Sequence, residues 1–141
     1  MAYKAEEIAK YIVTSCNEEG HQINNLQLQA ILYCLQREYL KTRKKPLFDD
    51  DIEAWEFGAV VPSVYHRFCG VGAIQICFGI HTDISDEEKE IISRIAAQKR
   101  KLPVRDLYRE VTDEGKAWHT IYGGGTGNHR VIPKELIKAN G

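Results

Sequence analysis

The residues of this chain with the types to do chemistry are five histidines, four cysteines, an acidic run and a glycine run. His21, His66, His81, His119 and His129 are dispersed and show neither H-x-x-x-H nor H-E-x-x-H spacing. Cys16, Cys34, Cys69 and Cys77 contain no C-x-x-C pair, and no Cys/His cluster has zinc-ligand spacing. His66 lies about one helical turn before Cys69, the nearest approach to a thiol beside its base. Such a pair needs hydrogen-bond contact and a third group to orient the base. A surface histidine beside a small buried thiol is the simpler reading. Asp49-Asp50-Asp51 with Glu53 offers oxygen donors suited to a hard cation. It lacks the calcium-loop pattern, so a solvated loop paired with Lys44 and Lys45 is expected. Gly123-Gly-Gly-Thr-Gly127 has amides that can cradle an anion but no Gly-Lys-Ser/Thr ending. It is expected as a mobile connector, with an anion site beside His129 and Arg130 as the alternative. No catalytic constellation, metal site or cofactor site emerges. The pattern points to a binding module rather than an enzyme.

The totals agree with that reading. The chain has 141 residues, 43% hydrophobic and 28% charged, with a net charge of −1. A chain of this length buries roughly 68–70% of its unfolded surface, enough for a real core. One domain spanning 1–141 is expected. The near-neutral charge does not favour nucleic acid or an anionic membrane as partner. No apolar run reaches the ~20 residues of a membrane span, and Met1-Ala-Tyr-Lys-Ala-Glu-Glu lacks the apolar core of a secretory signal. A cytoplasmic protein with reduced thiols is the expectation.

The elements that must position any site are mostly helical. Ala5, Ile8, Ala9, Ile12 and Cys16 share one face of a first helix, with Gly20 placed as its C-cap. The longest helix is expected from Ile23 to Lys45. Asn24 and Gln27 form a capping box, Ile23 and Leu28 a hydrophobic staple, and Pro46 a stop. Leu28, Ile31, Leu32, Leu35 and Tyr39 make its main apolar stripe, while Leu26, Tyr33 and Leu40 lie off it. Gly58 suggests a sharp bend, and Pro62 suits the first turn of a short helix. Residues 73–80 alternate as a strand, with 52–57 as the expected partner. Ser85-Asp-Glu-Glu88 reads as a capping box for a helix reaching about Lys101, acidic at its start and basic at its end. Pro103 opens the next helix, whose Val104, Leu107, Tyr108 and Val111 share one apolar face. A short turn carrying Trp118 follows, and Pro133 to Ala139 closes the chain as a helix. The predicted fold class is mainly α, a compact multi-helix domain with at most a small two-stranded β element.

Three stretches carry a family resemblance. They are Ile23-Asn-Asn-Leu-Gln-Leu-Gln-Ala-Ile-Leu-Tyr, then Pro46-Leu-Phe, then Ile52-Glu-Ala-Trp-Glu-Phe-Gly-Ala-Val-Val-Pro-Ser-Val-Tyr. In order and spacing they resemble the Panacea domain, with its helix I-x-N-L-K-L-Q-K-L-L-Y followed by A-W-x-x-G-P-V-V-P-x-V-Y. Two positions depart from that pattern: Ala59 stands where proline is usual, and Thr112-Asp113 where T-H is usual. The family includes GepA-like and SocA-like antitoxin proteins of phages and plasmids. The resemblance implies an antitoxin on a prophage or mobile genetic element. It would bind the cognate toxin protein encoded by a neighbouring gene, or deliver that toxin to a protease. The alternative is a nucleic-acid-binding regulator of a mobile element, gripping through basic helix ends at Arg37, Lys41, Arg43, Lys44 and Lys45 and at Lys99, Arg100 and Lys101. For protein binding, Tyr65, Trp118 and His119 with Arg43, Lys44 and Lys45 are the candidate contacts, because aromatic anchors ringed by polar groups dominate interfaces.

Overall fold

The computed structural model describes residues 2–69 and 84–141, and within these the chain is mainly α with a small antiparallel sheet. Its helices are α1 (Ala5–Glu18), α2 (Asn25–Thr42), α3 (Pro62–Arg67), α4 (Asp86–Arg100), α5 (Val104–Thr112), α6 (Ala117–Tyr122) and α7 (Lys134–Asn140). The strands are β1 (Glu53–Trp55), β2 (Gly58–Val60) and β3 (Arg130–Val131).

Helix α2 is the central element and packs against α1, α3, α4, α5, α7 and β2. Its start is set locally. The Gln27 amide donates to Asn24 Oδ1 at 2.8 Å and the Asn24 amide to Gln27 Oε1 at 2.9 Å, the reciprocal capping box the sequence predicts. Ile23 and Leu28 are both buried as the staple requires. The helix stops at Thr42, earlier than expected, and Lys44 takes a left-handed φ of 59° before Pro46. Leu28, Ile31, Leu32, Leu35 and Tyr39 are buried, but so are Tyr33 and Leu40 on a second face, because neighbours surround the helix.

Two buried glutamines on α2, seven residues apart, tie down the chain that follows. Gln36 accepts from the Leu47 amide (2.9 Å) and the Phe48 amide (3.3 Å), and donates to the Phe48 carbonyl (2.9 Å). Gln29 accepts from the Val61 amide at 2.9 Å and donates to Asn25 Oδ1 at 3.0 Å. Asn25 in turn donates to the Tyr65 carbonyl at 2.9 Å. Buried backbone groups outside regular structure need partners, and these side chains supply them. The loop between 43 and 61 is thereby fixed in the order that the family-like motif runs.

Helix α1 buries Ala5, Ile8, Ala9, Ile12 and Cys16, as its pattern predicts. Asp50 accepts from the Ala5 amide at 2.8 Å, and Ser63 donates to the same carboxylate at 3.1 Å. That carboxylate thus caps a helix start. Asp51 pairs with Lys134, at 3.6 Å, rather than with Lys44 or Lys45. Tyr3–Glu88, Tyr11–Ser93 and Glu19–Arg100 contacts climb both helices in the same direction, so α1 and α4 run parallel. The capping box at α4 is only half made. Ser85 Oγ accepts from the Glu88 amide at 3.3 Å, but Glu88 takes the Tyr3 hydroxyl at 2.6 Å instead of the Ser85 amide.

The sheet order is β2-β1-β3, with Trp55 opposite Gly58 and Glu53 opposite both Val60 and Val131. Gly58 sits at φ +133°, a conformation side-chain-bearing residues rarely adopt, and this supplies the expected bend. The strand expected over 73–80 lies outside the described residues. Its supposed partner around 52–57 is instead paired on both sides by β2 and β3. The glycine run is folded rather than loose. The Gly127 amide donates to the Tyr122 carbonyl at 2.9 Å, and a Cβ at Gly127 would lie 1.7 Å from the Ile121 carbonyl oxygen.

Candidate protein-binding surface

The candidate contacts fall at the two ends of α2. Tyr65 is half-buried on α3, its ring 5.1 Å from Trp55 and 5.7 Å from Phe57. Trp118 is 7% exposed, stacks on Tyr122 at 4.7 Å, and donates its indole N–H to the Trp55 carbonyl at 2.8 Å. It therefore supports Trp55 from beneath. His119 is exposed beside it.

Arg43, Lys44 and Lys45 are exposed at the far end of α2, about 27 Å along the axis from Asn25, which binds the Tyr65 carbonyl. Arg43 pairs with Glu87 at 3.1 Å, and Lys44 Nζ donates to the Lys41 carbonyl at 3.0 Å, as expected of cations at a helix C-terminus. Lys99 and Arg100 are used internally, by Glu110 and Glu19 respectively, at the opposite end of α4 from Glu87. Arg37 and Lys99 meet only through the carboxylate of Glu110, so the bipartite grip considered for nucleic acid is not formed.

What the fold does gather is an aromatic face around Trp55. The left-handed φ of 69° at His129 brings its imidazole flat onto the indole, 4.4 Å away with 11° between planes. His66 approaches the same ring at 6.1 Å, and Phe57 completes the cluster at 5.8 Å. Trp55 Nε1 is satisfied by Glu53 at 2.9 Å. His66 and His129 are exposed, while Phe57 and Tyr65 are half-buried. Trp55 itself is only 8% exposed, so the groups that meet solvent are His66 and His129 and parts of Phe57 and Tyr65 around a covered indole, side chains of the kind that anchor interfaces.

The cluster does not read as a catalytic site. His66 meets aromatic rings, with no recorded hydrogen bond to Cys69 among the described residues. Among the described residues no group of three or more His, Cys, Asp and Glu gathers to hold a metal. Burial pushes the Cys34 thiol up to about 11 and raises Cys16 as well, leaving both protonated and unreactive. A charge cluster that joins three helices is structural. Glu110 of α5 accepts from Arg37 of α2 at 2.7 Å and from Lys99 of α4. Burial raises its carboxyl pKa, the two cations together lower it by more, and the net shift is downward.

Next to the aromatic face, across Phe57, lies an apolar groove between α2, β2 and α5, with a cavity of about 90 Å³. Leu26 (46% exposed), Val104 (58%) and Tyr108 (41%) form its walls. Sequence reasoning expected Val104 and Tyr108 to face the core with Leu107 and Val111, yet only the latter two are buried. The sequence signal for the groove was Leu26, an apolar residue off the main stripe. The buried polar trio Asn25, Gln29 and Gln36 carried no periodic signal and went unassigned.

Comparison with known proteins agrees with the motif. The family model for the SocA-like antitoxin Panacea domain matches residues 28–119. The chain is also 31% identical over 115 residues to Antitoxin SocA of Caulobacter vibrioides (strain NA1000 / CB15N), covering 72% of this chain and 61% of that relative. It thus spans about three fifths of the relative's length. No solved structure matches the chain significantly. Among the described residues, no helix is long and apolar enough to cross a membrane. With most of α2, the hairpin, α3 and Trp118 all inside the matched region, the chain belongs to the SocA-like antitoxin family that carries the Panacea domain.

Proposed function

We propose that this protein is an antitoxin that neutralises a partner toxin by binding it directly, with no bond made or broken. The observation that carries the reading is the aromatic cluster built around the buried Trp55, whose outer members, His66 and His129 with half-buried Phe57 and Tyr65, reach solvent. An immobilised indole is flanked by Phe57, Tyr65, His66 and His129, with its own polar atoms already satisfied. Rigid aromatic anchors of this kind lose little entropy on binding and dominate interface energy. Tyr65 lies in the proposed contact, Trp118 holds it up, and His119 flanks it. Arg43, Lys44 and Lys45 sit toward the far rim of an interface roughly 30 Å across, the width of an ~800 Å² patch.

The test is co-expression with the product of the neighbouring gene. Growth should be restored and the two proteins should co-purify. Tyr65→Ala and His129→Ala should each weaken the complex by about tenfold or more, with unchanged circular dichroism. Continued toxicity in the presence of the folded wild-type chain would refute the reading. Retention of DNA fragments that falls steeply with salt, without toxin binding, would favour the regulator instead.

A further inference from the structure

The sheet has an open side. Its order is β2-β1-β3, so β3 is an edge strand. Toward β1, the Ile132 amide donates to the Ile52 carbonyl and the His129 amide to the Ala54 carbonyl, both at 2.7 Å. Those bonds bracket Val131, which stands opposite Glu53. A pair bracketed in this way is a non-hydrogen-bonded pair of an antiparallel ladder, and its backbone groups point away from each other. Val131 therefore aims its N–H and C=O off the outer edge of β3. Among the described residues, no hydrogen bond takes them. The edge is also uncovered, for Val131 is 44% exposed and Arg130 is exposed as well. Residues directly opposite each other share a face of the sheet. Val131 thus lies on the side of Glu53 and Trp55, next to the aromatic cluster, and Arg130 lies on the side of Ala54.

We propose that an extended segment of the protein partner adds to this edge as a further strand, pairing its backbone with Val131. The unpaired donor and acceptor select an extended backbone, the mode of strand addition. A helix has satisfied its own backbone groups and can offer only side chains. Alternation along the incoming strand then sets its side chains. The residue opposite Val131 falls on the face of Trp55 and His129, where an apolar group continues the aromatic contact. Its neighbour, opposite Arg130, falls on the other face. A carboxylate there meets an exposed guanidinium that has no ion pair among the described residues. The same charge disfavours a second copy of this chain. Pairing Val131 with Val131 across a two-fold axis would set two Arg130 side chains on one face as diagonal neighbours, roughly 7–8 Å apart. The clamp is short, because the left-handed His129 bounds it on one side and Pro133, which has no N–H, on the other. Its hydrogen bonds fix register, and the aromatic face beside it supplies the larger contact area.

The proposal rests on the protein-binding reading for the existence of a partner, so the edge itself is tested first without one. In hydrogen exchange on the full chain labelled with ¹⁵N, the Val131 amide should exchange freely while the Ile132 amide is protected by about a hundredfold or more. Protection of Val131 in the unbound chain would overturn the proposal. The blocked pentapeptide acetyl-Ser-Thr-Val-Asp-Thr-amide, added to millimolar concentration, should give saturable shifts centred on Val131 and reaching His129. Methylating its valine nitrogen should weaken binding by about tenfold, the equivalent of one hydrogen bond. No saturable shift, equal binding of the methylated peptide, or a concentration-dependent dimer through Val131 would each sink the idea. The product of the neighbouring gene supplies the partner arm. Val131→Pro removes a donor that the β1–β3 ladder does not use, so it should keep the fold and weaken that complex by about tenfold. Val131→Thr keeps the donor and should bind within about twofold of wild type. Equal affinity of Val131→Pro and wild type would overturn the proposal and leave the proposed function standing. Failure of the wild-type chain to bind that product, with peptide binding intact, would count against the proposed function and leave the edge standing.

Discussion

Two flanks of α2 meet the same hairpin segment under opposite rules. On one flank Gln36 stitches the backbone at Leu47 and Phe48 to the helix, and the buried polar groups there are paired. On the other, Leu26 faces α5 across a gap, and Leu26, Val104 and Tyr108 stay exposed around an apolar groove whose floor includes buried Ala59. The first flank shows how a chain with short strands holds a long loop in place: the helix lends it side-chain amides in place of a neighbouring strand. The second shows apolar area that folding does not require to be buried, and that a partner can therefore use.

The largest expected effect breaks the closed flank. Gln36→Leu leaves the Leu47 and Phe48 amides and the Phe48 carbonyl buried without their partner, at about 1–3 kcal/mol for each orphaned group. A total on the order of 4 kcal/mol is expected, read as a drop in the urea midpoint. A loss below about 1 kcal/mol would mean the loop is held by packing alone. Next comes a paired comparison within α5. Leu107→Ala should cost about 3 kcal/mol, because it empties a buried site. Val104→Ala, three residues away on the same apolar stripe, should change stability by no more than about 0.5 kcal/mol. Equal costs would show that the groove is closed in solution.

A smaller effect is expected at the seam joining α2, α4 and α5. Glu110→Gln should cost about 1–2 kcal/mol at neutral pH, since Arg37 and Lys99 lose a charged acceptor. The folded-state pKa of Glu110 lies below its ordinary value, so its contribution is complete above the unfolded pKa of about 4.3 and is lost as pH falls through the folded value. The gap between wild type and Glu110→Gln in urea titrations should therefore shrink below about pH 4. A constant gap down to pH 2.5 would place the effect in packing. The smallest change is at the basic end: exposed Lys45→Ala should leave stability within about 0.5 kcal/mol and test only whether that end takes part in the proposed contact.

Much of the fold was legible because it is encoded over short stretches. The Asn24–Gln27 box, the Ile8–Ile12–Cys16 face and Pro62 at the start of α3 each depend on residues within a turn or two. The candidate contacts were legible by type but not by place. Tyr65 came out on the aromatic face, Trp118 under it, and the basic end about 27 Å away along α2. His129 was read beside a glycine loop, and only its left-handed backbone and the β1–β3 pairing put it on Trp55.

By itself the sequence determined that the chain is helical, where most of its helices start, and which family it resembles, since capping, periodicity and motif order are properties of neighbours along the chain. The tertiary structure alone decided which apolar residues are core and which are surface. Val104 and Leu107 look alike in the sequence and share one helical stripe. Whether each is covered depends on β2 and α2 arriving from elsewhere in the chain, and no local pattern records where those elements stop short.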